Sequence, residues 1–135
     1  MNVALIDAGP LIALFDDQSI AHSHYARLLP QGWLLTTTWP CVVEACHFLK
    51  PVQNQRLLRW IAEGATTVFP FAESHLPDMA RLMAKYTLWP RTEMDFADAS
   101  LVWLAEETHV TQIMTMDVRD FSRYRLADGR AFEIL

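Results

Sequence analysis

The sequence is poor in cysteine, in bases and in long apolar runs, and each shortage excludes something. Only two of its 135 residues are cysteines, Cys41 and Cys46. Residues five apart sit about 140° apart around a helix, so these two do not face each other as a disulfide or as half a zinc site. Such usage suits a reducing compartment, and the cytoplasm is the expected location. No run of 18 consecutive apolar residues occurs, so no membrane span is expected. No basic segment precedes an apolar stretch near the start, which predicts no secretory signal. Repeats, linkers and low-complexity segments are missing too. Lys and Arg number 11 against 16 Asp and Glu, for a net charge of −5. Taken alone, that balance argues against a nucleic-acid partner.

What is present is enough apolar material for one domain spanning residues 1–135. Hydrophobic residues make up 52% of the chain. A domain near this length buries roughly two-thirds of the surface its unfolded chain exposes. Short apolar, β-branched runs predict strands at 3–7, 33–37, 66–69 and 111–115, with a short edge strand at 131–134. Longer segments predict helices at 11–15, 19–29, 40–50, 52–63 and 74–86. Ala8-Gly9-Pro10 reads as a turn into the first of these, with Pro10 at its first position. Thr92 and Asp95 resemble a capping box before a long helix ending near 108. Alternation of strands and helices predicts an α/β fold: a three-layer α/β/α sandwich around a mostly parallel sheet of four to five strands. In such folds sites gather beyond the carboxyl ends of the strands.

Acids are found there. Asp7 ends the first strand, in an otherwise apolar stretch, LIDAG. Glu44 lies one turn into the helix after the second strand, in CVVEAC. Asp95 and Asp98 begin the long helix in MDFADAS, and at i and i+3 they share one helix face. Asp117 follows the fourth strand, in IMTMD. Each acid alone has an ordinary reading: Asp7, Asp95 and Asp117 as helix caps, Glu44 as a solvated helix residue. Their joint placement is what carries weight. Two carboxylates 4 Å apart repel by about 1 kcal/mol in water and about 4 at the effective dielectric of a protein surface. Five together require a cation or bound protons. A cluster of carboxylates without His or Cys selects a hard ion, Mg²⁺ or Mn²⁺. Such an ion acidifies water and offsets charge on phosphoryl oxygens, which suits hydrolysis of phosphate esters. Setting these five acids aside leaves 11 acids against 11 bases. The excess negative charge therefore equals the predicted site. Arg119, Arg123, Arg125 and Arg130 follow Asp117 and form a candidate contact for a substrate phosphate chain.

The stretches LIDAGPLIALFD, TTTWPCVVEACHFL, MDFADASLVWLAEE and IMTMDVRDFSRYR together resemble a PIN-domain ribonuclease of the VapC toxin type. Their order and spacing fit that family along essentially the whole chain. The resemblance implies Mg²⁺- or Mn²⁺-dependent endoribonuclease activity on RNA phosphodiesters, as the toxin of a type II toxin–antitoxin pair. It matches Asp7, Glu44 and Asp98 to the family's three central acids, Asp117 to its more variable fourth, and Asp95 to an extra acid of one branch. Thr115 matches a threonine beside the site. On this reading Asp7, Asp98 and Asp117 hold the ion, and Glu44 contacts it directly or through water. Many relatives carry Ser or Thr where this chain has Gly9. An RNA substrate, a cognate antitoxin and a second copy of the chain are the expected partners.

Two further points bear on substrate and class. Trp39, just before Pro40 at the mouth of the predicted site, is a candidate platform for stacking a base. The competing classes lack residues they need. A phosphatase using Asp7 as nucleophile wants a second acid two residues on, where Gly9 stands. A phosphate-accepting receiver wants a Lys after the last long strand, and Lys50 and Lys85 are the only lysines. A catalytically idle scaffold that binds RNA or a protein has no use for five acids in these places.

Overall fold

The computed structural model describes residues 2–135. Its strands are β1 (Val3–Ile6), β2 (Leu34–Thr37), β3 (Thr66–Val68), β4 (Gln112–Met114) and β5 (Glu133–Ile134). They form one sheet in the order β3-β2-β1-β4-β5, with every neighbouring pair parallel. Its helices are α1 (Ala8–Phe15), α2 (His22–Leu28), α3 (Trp39–Phe48), α4 (Pro51–Ala62), α5 (Leu76–Tyr86), α6 (Phe96–Thr108) and α7 (Val118–Phe121). Among the described residues no helix is long and apolar enough to cross a membrane.

Successive residues of a strand face opposite sides of the sheet, and β1 shows the consequence. Ala4 and Ile6 join Leu35 and Met114 against Leu11, Val42, Ala45 and Leu57 from α1, α3 and α4. Leu5 points the other way, with Ile113, onto Met79, Leu101, Leu104 and Phe121 from α5, α6 and α7. The three-layer sandwich expected from the sequence is thus present, with all five strands parallel. α6 is buried without a break from Ala97 to Ala105, so it is the central helix of its layer.

The strand order places the site. β1 is central, and the chain builds outward to β2 and β3 before crossing to β4 and β5. The reversal falls between β1 and β4, where parallel sheets open a crevice beyond their carboxyl ends. Leu5 pairs with Ile113 and Ile6 with Met114. The Asp7 amide continues the ladder to the Met114 carbonyl at 3.0 Å. Asp7 and Thr115 therefore leave the sheet side by side.

Three local expectations are corrected. Residues 8–10 are not a turn: α1 starts directly at Ala8, capped by Asp7, with buried Pro10 inside its first turn. Proline is harmless there because the first amides of a helix have no intrahelical acceptor to lose. The segment from Ser19 is not helical until His22; the Ser19 hydroxyl accepts from the Ala21 amide in a turn instead. Thr92 does not cap α6. It pairs with Leu88 in an isolated bridge, and its hydroxyl donates to the Tyr86 carbonyl, so Asp95 alone forms the cap.

Candidate active site

All five predicted acids line one cleft of about 380 Å³ at the β1/β4 end of the sheet, between Ile12 and Met116. Asp7 and Asp98 are 7% exposed, Glu44 and Asp117 are half-buried, and Asp95 is exposed. Among the described residues no Lys or Arg lines the cleft. The five carboxylates thus share one cleft at the edge of an apolar core, with no protein cation among the described residues lining it.

Each acid is held by the local structure that delivers it. Asp7 is the N-cap of α1, its Oδ1 accepting from the Ala8 amide at 2.7 Å. Its Oδ2 accepts from the Thr115 hydroxyl at 2.9 Å. Thr115 Oγ1 in turn accepts from the Asp117 amide at 3.0 Å, so one threonine links the ends of β1 and β4. Asp95 caps α6 by accepting from the Asp98 amide at 2.8 Å. Asp117 caps α7 by accepting from the Asp120 amide at 3.3 Å. The capping and site readings of these three acids therefore do not compete, because a cap at a strand-to-helix junction puts its carboxylate at the crevice. Thr38 and Ser100 lie 2.6 Å apart, oxygen to oxygen, and pin the start of α3 to α6. That contact fixes the helix carrying Glu44 relative to the one carrying Asp98.

The electrostatics follow from burial. Asp98 is pushed up to about 8, first by desolvation and then by the charges of Asp95 and Asp7. Burial likewise raises Asp7, against the hydrogen bonds from Ala8 and Thr115. Asp117 rises to about 6, again chiefly by desolvation. Glu44 is raised by burial and by the charges of Asp95 and Asp7. Four acids that resist ionisation in one cleft are the signature of a site lacking positive charge.

Two residues at the site escaped the sequence reading. Asp98, Asp117 and Asp120 each offer a carboxylate oxygen within 4.8 Å of the others, close enough to hold one ion. Asp120 is i+3 from Asp117, the same spacing that drew attention to Asp95 and Asp98, so its signal was in the sequence. Burial pushes Asp120 up, but hydrogen bonds from Arg123 and Asp117 and the charges of Arg123 and Arg119 outweigh it and leave its carboxyl lowered. Tyr124 is fully buried, and its hydroxyl donates to Asp98 Oδ2 at 2.7 Å. No periodicity links residues 98 and 124, so only the fold could reveal that contact. An all-oxygen donor set with raised acids fits a hard divalent ion.

The predicted substrate contacts lie as follows. Trp39 is half exposed and lines an aromatic groove of about 780 Å³ with Phe48, Phe71 and Phe96. That groove shares Glu44 and Asp95 with the acid cleft. The arginines do not form an open patch. Arg123 pairs with Asp120 at 2.8 Å, Arg125 donates to the Ser122 and Tyr124 carbonyls, and Arg130 pairs with Asp128. Arg119 remains exposed and unpaired among the described residues.

The sequence matches the PIN domain family over residues 4–126. No curated protein sequence matches the chain. The fold is similar to VapC20 of Mycobacterium tuberculosis, a toxin that cleaves the sarcin–ricin loop. That likeness has a TM-score of 0.72 at 12% identity and covers 88% of this chain and 92% of that one. It is also similar to a chain of a toxin–antitoxin complex from Klebsiella pneumoniae, with a TM-score of 0.58 at 18% identity, covering 89% and 91%.

Proposed function

This chain belongs to the PIN domain family, and from that premise we propose that it is an endoribonuclease dependent on Mg²⁺ or Mn²⁺, the toxin of a type II toxin–antitoxin pair. The observation that carries the reading is the single cleft lined by Asp7, Glu44, Asp95, Asp98 and Asp117 with no protein cation.

Asp98, Asp117 and Asp7 would hold the ion, with Asp120 as a further carboxylate within reach of the first two. When bound, the ion acidifies water and offsets the charge that builds on the phosphoryl oxygens. The rest falls to the chain. Thr115, the Ala8 amide and the Cys41 thiol keep Asp7 in one orientation, and Oδ2, which accepts from Thr115 alone, retains a free lone pair for an ion. Glu44 has no hydrogen-bond partner for its carboxylate among the described residues, and its raised pKa suits a group that takes up a proton. It accepts the proton of the water that attacks phosphorus. The groove at Trp39 receives a base next to the scissile phosphate, since every base offers a face to stack. Arg119 contacts the phosphate chain. The likeness to a chain of a toxin–antitoxin complex supports an antitoxin as partner. The exposed apolar side chains of α3 and α4, Val43, Phe48, Val52 and Leu58, favour that contact or one with a second copy of the chain. Two free cysteines fit work in the cytoplasm.

The test is cleavage of a defined single-stranded RNA by the purified chain with Mg²⁺ or Mn²⁺, beside the Asp7→Asn variant. Cleavage by the wild type alone is expected. Equal cleavage by the variant, or none by either protein, sinks the proposal.

A further inference from the structure

We infer that Tyr124 is a positioning residue for the divalent ion, acting by fixing Asp98. The inference rests on the reading of the cleft as an ion site. Tyr124 is 0% exposed. Its ring packs edge-on against Phe121 at 5.0 Å and Tyr86 at 4.9 Å, between ring centroids. Its amide donates to the Asp120 carbonyl at 3.1 Å. The ring is therefore clamped before its hydroxyl is considered.

A phenylalanine would fill the same space, so packing does not explain the hydroxyl. A buried hydroxyl left unpaired is costly, and this one is spent on a single acceptor, Asp98 Oδ2 at 2.7 Å. Asp98 has no other side-chain partner among the described residues. Oδ2 is thereby fixed, and Oδ1 is left without a protein donor. The contact also crosses elements. It ties Asp98 on α6 to the segment carrying Asp117 and Asp120, whose carboxylates lie within 4.8 Å of it. Losing the bond frees Asp98 to rotate and loosens the two halves of the ion site together. Partners that orient a ligand in this way typically contribute 10- to 100-fold in metal affinity.

The test compares Mn²⁺ binding, read from the EPR signal of free Mn²⁺, in the wild type, Tyr124→Phe and Tyr86→Phe. Tyr86 loses a hydroxyl on the adjacent ring that touches no cleft carboxylate. Tyr124→Phe should bind Mn²⁺ about 10- to 100-fold more weakly, with RNA cleavage recovered at saturating Mn²⁺, while Tyr86→Phe binds like the wild type. Equal affinity in a folded Tyr124→Phe overturns the role of Tyr124 and leaves the ion site standing. A wild type that binds no Mn²⁺ overturns both. Should Tyr124→Phe not fold, the wild type labelled at tyrosine Cζ decides. It carries three tyrosines, and Tyr25→Phe and Tyr86→Phe identify the Tyr124 resonance by elimination. That resonance should shift with added Mg²⁺ and saturate with it; no shift overturns the proposal.

Discussion

Replacing Asp98 by Asn should stabilise the ion-free protein at alkaline pH, although it removes a proposed ligand of the ion. Asp98 is pushed from an ordinary 3.8 to about 8, mainly by burial. Below pH 4 both the folded and the unfolded chain hold its proton, and burial carries no electrostatic cost. Between pH 4 and 8 the unfolded chain releases the proton and the folded chain keeps it. Folding then takes up a proton, and stability falls as pH rises. Above pH 8 the full cost is in place. The gap of about four between the two pKa values, at 1.36 kcal/mol each, comes to about 5 kcal/mol. That is a large share of the 5–15 kcal/mol that holds a typical domain together. The amide introduced by Asp98→Asn carries no charge to desolvate, and its carbonyl still accepts from the Tyr124 hydroxyl. In EDTA, urea unfolding should show wild-type stability dropping by several kcal/mol from pH 4 to 8, with a clearly smaller drop in Asp98→Asn. At pH 8 the variant is the more stable protein. Adding Mn²⁺ should reverse that order, because an ion stabilises only the fold that binds it. Parallel pH curves for the two proteins in EDTA would mean that burial of the Asp98 charge does not set the pH dependence.

The same protons should oppose the ion. As pH falls from 8 to 6, Asp98 must be deprotonated to bind, so the apparent Mn²⁺ affinity measured by calorimetry should weaken about tenfold per pH unit. Asp117, at about 6, steepens the loss below that value. Trp39→Ala should raise KM for single-stranded RNA about 5- to 160-fold, matching the 1–3 kcal/mol that stacking contributes per base, without changing Mn²⁺ affinity. An unchanged KM would remove Trp39 from the substrate path. Gly9 lies inside α1, where a Cβ would come 3.2 Å from the exposed side chain of Met116. The thioether can rotate away, but the Met116 Cβ, at 3.3 Å, moves only with its backbone. Gly9→Ala should therefore forfeit the usual gain of about 0.5–1 kcal/mol and leave stability in urea unfolding unchanged or lower. A gain of that full size would mean that the Met116 backbone yields.

The layers and most elements were legible because apolar runs bounded by Pro, Gly and polar residues report burial directly. The five acids were legible because a carboxylate in an apolar stretch is costly and so invites a reason. What sequence could not report was contact across distance. Tyr124 against Asp98 depends on α7 folding back over α6, and the hydrogen bond from Thr115 to Asp7 on β1 and β4 pairing in one register; the family resemblance put Thr115 near the site without giving that bond. The arginines misled for a similar reason. Their clustering in sequence suggested a basic surface, whereas Arg123, Arg125 and Arg130 are taken up by partners within three residues of themselves. The turn expected at residues 8–10 failed because Gly and Pro break helices in their interiors but not in their first turn.

The proposed function requires that these carboxylates hold one divalent ion on which RNA cleavage depends. Its most direct test is a Mn²⁺ titration in which bound Mn²⁺ and the rate of RNA cleavage are followed on the same sample, for wild type and Asp98→Asn. The wild-type rate should rise in step with bound Mn²⁺ and vanish in EDTA, and the variant should neither bind nor cleave. Cleavage that persists in EDTA, or in a variant that binds no Mn²⁺, would contradict it.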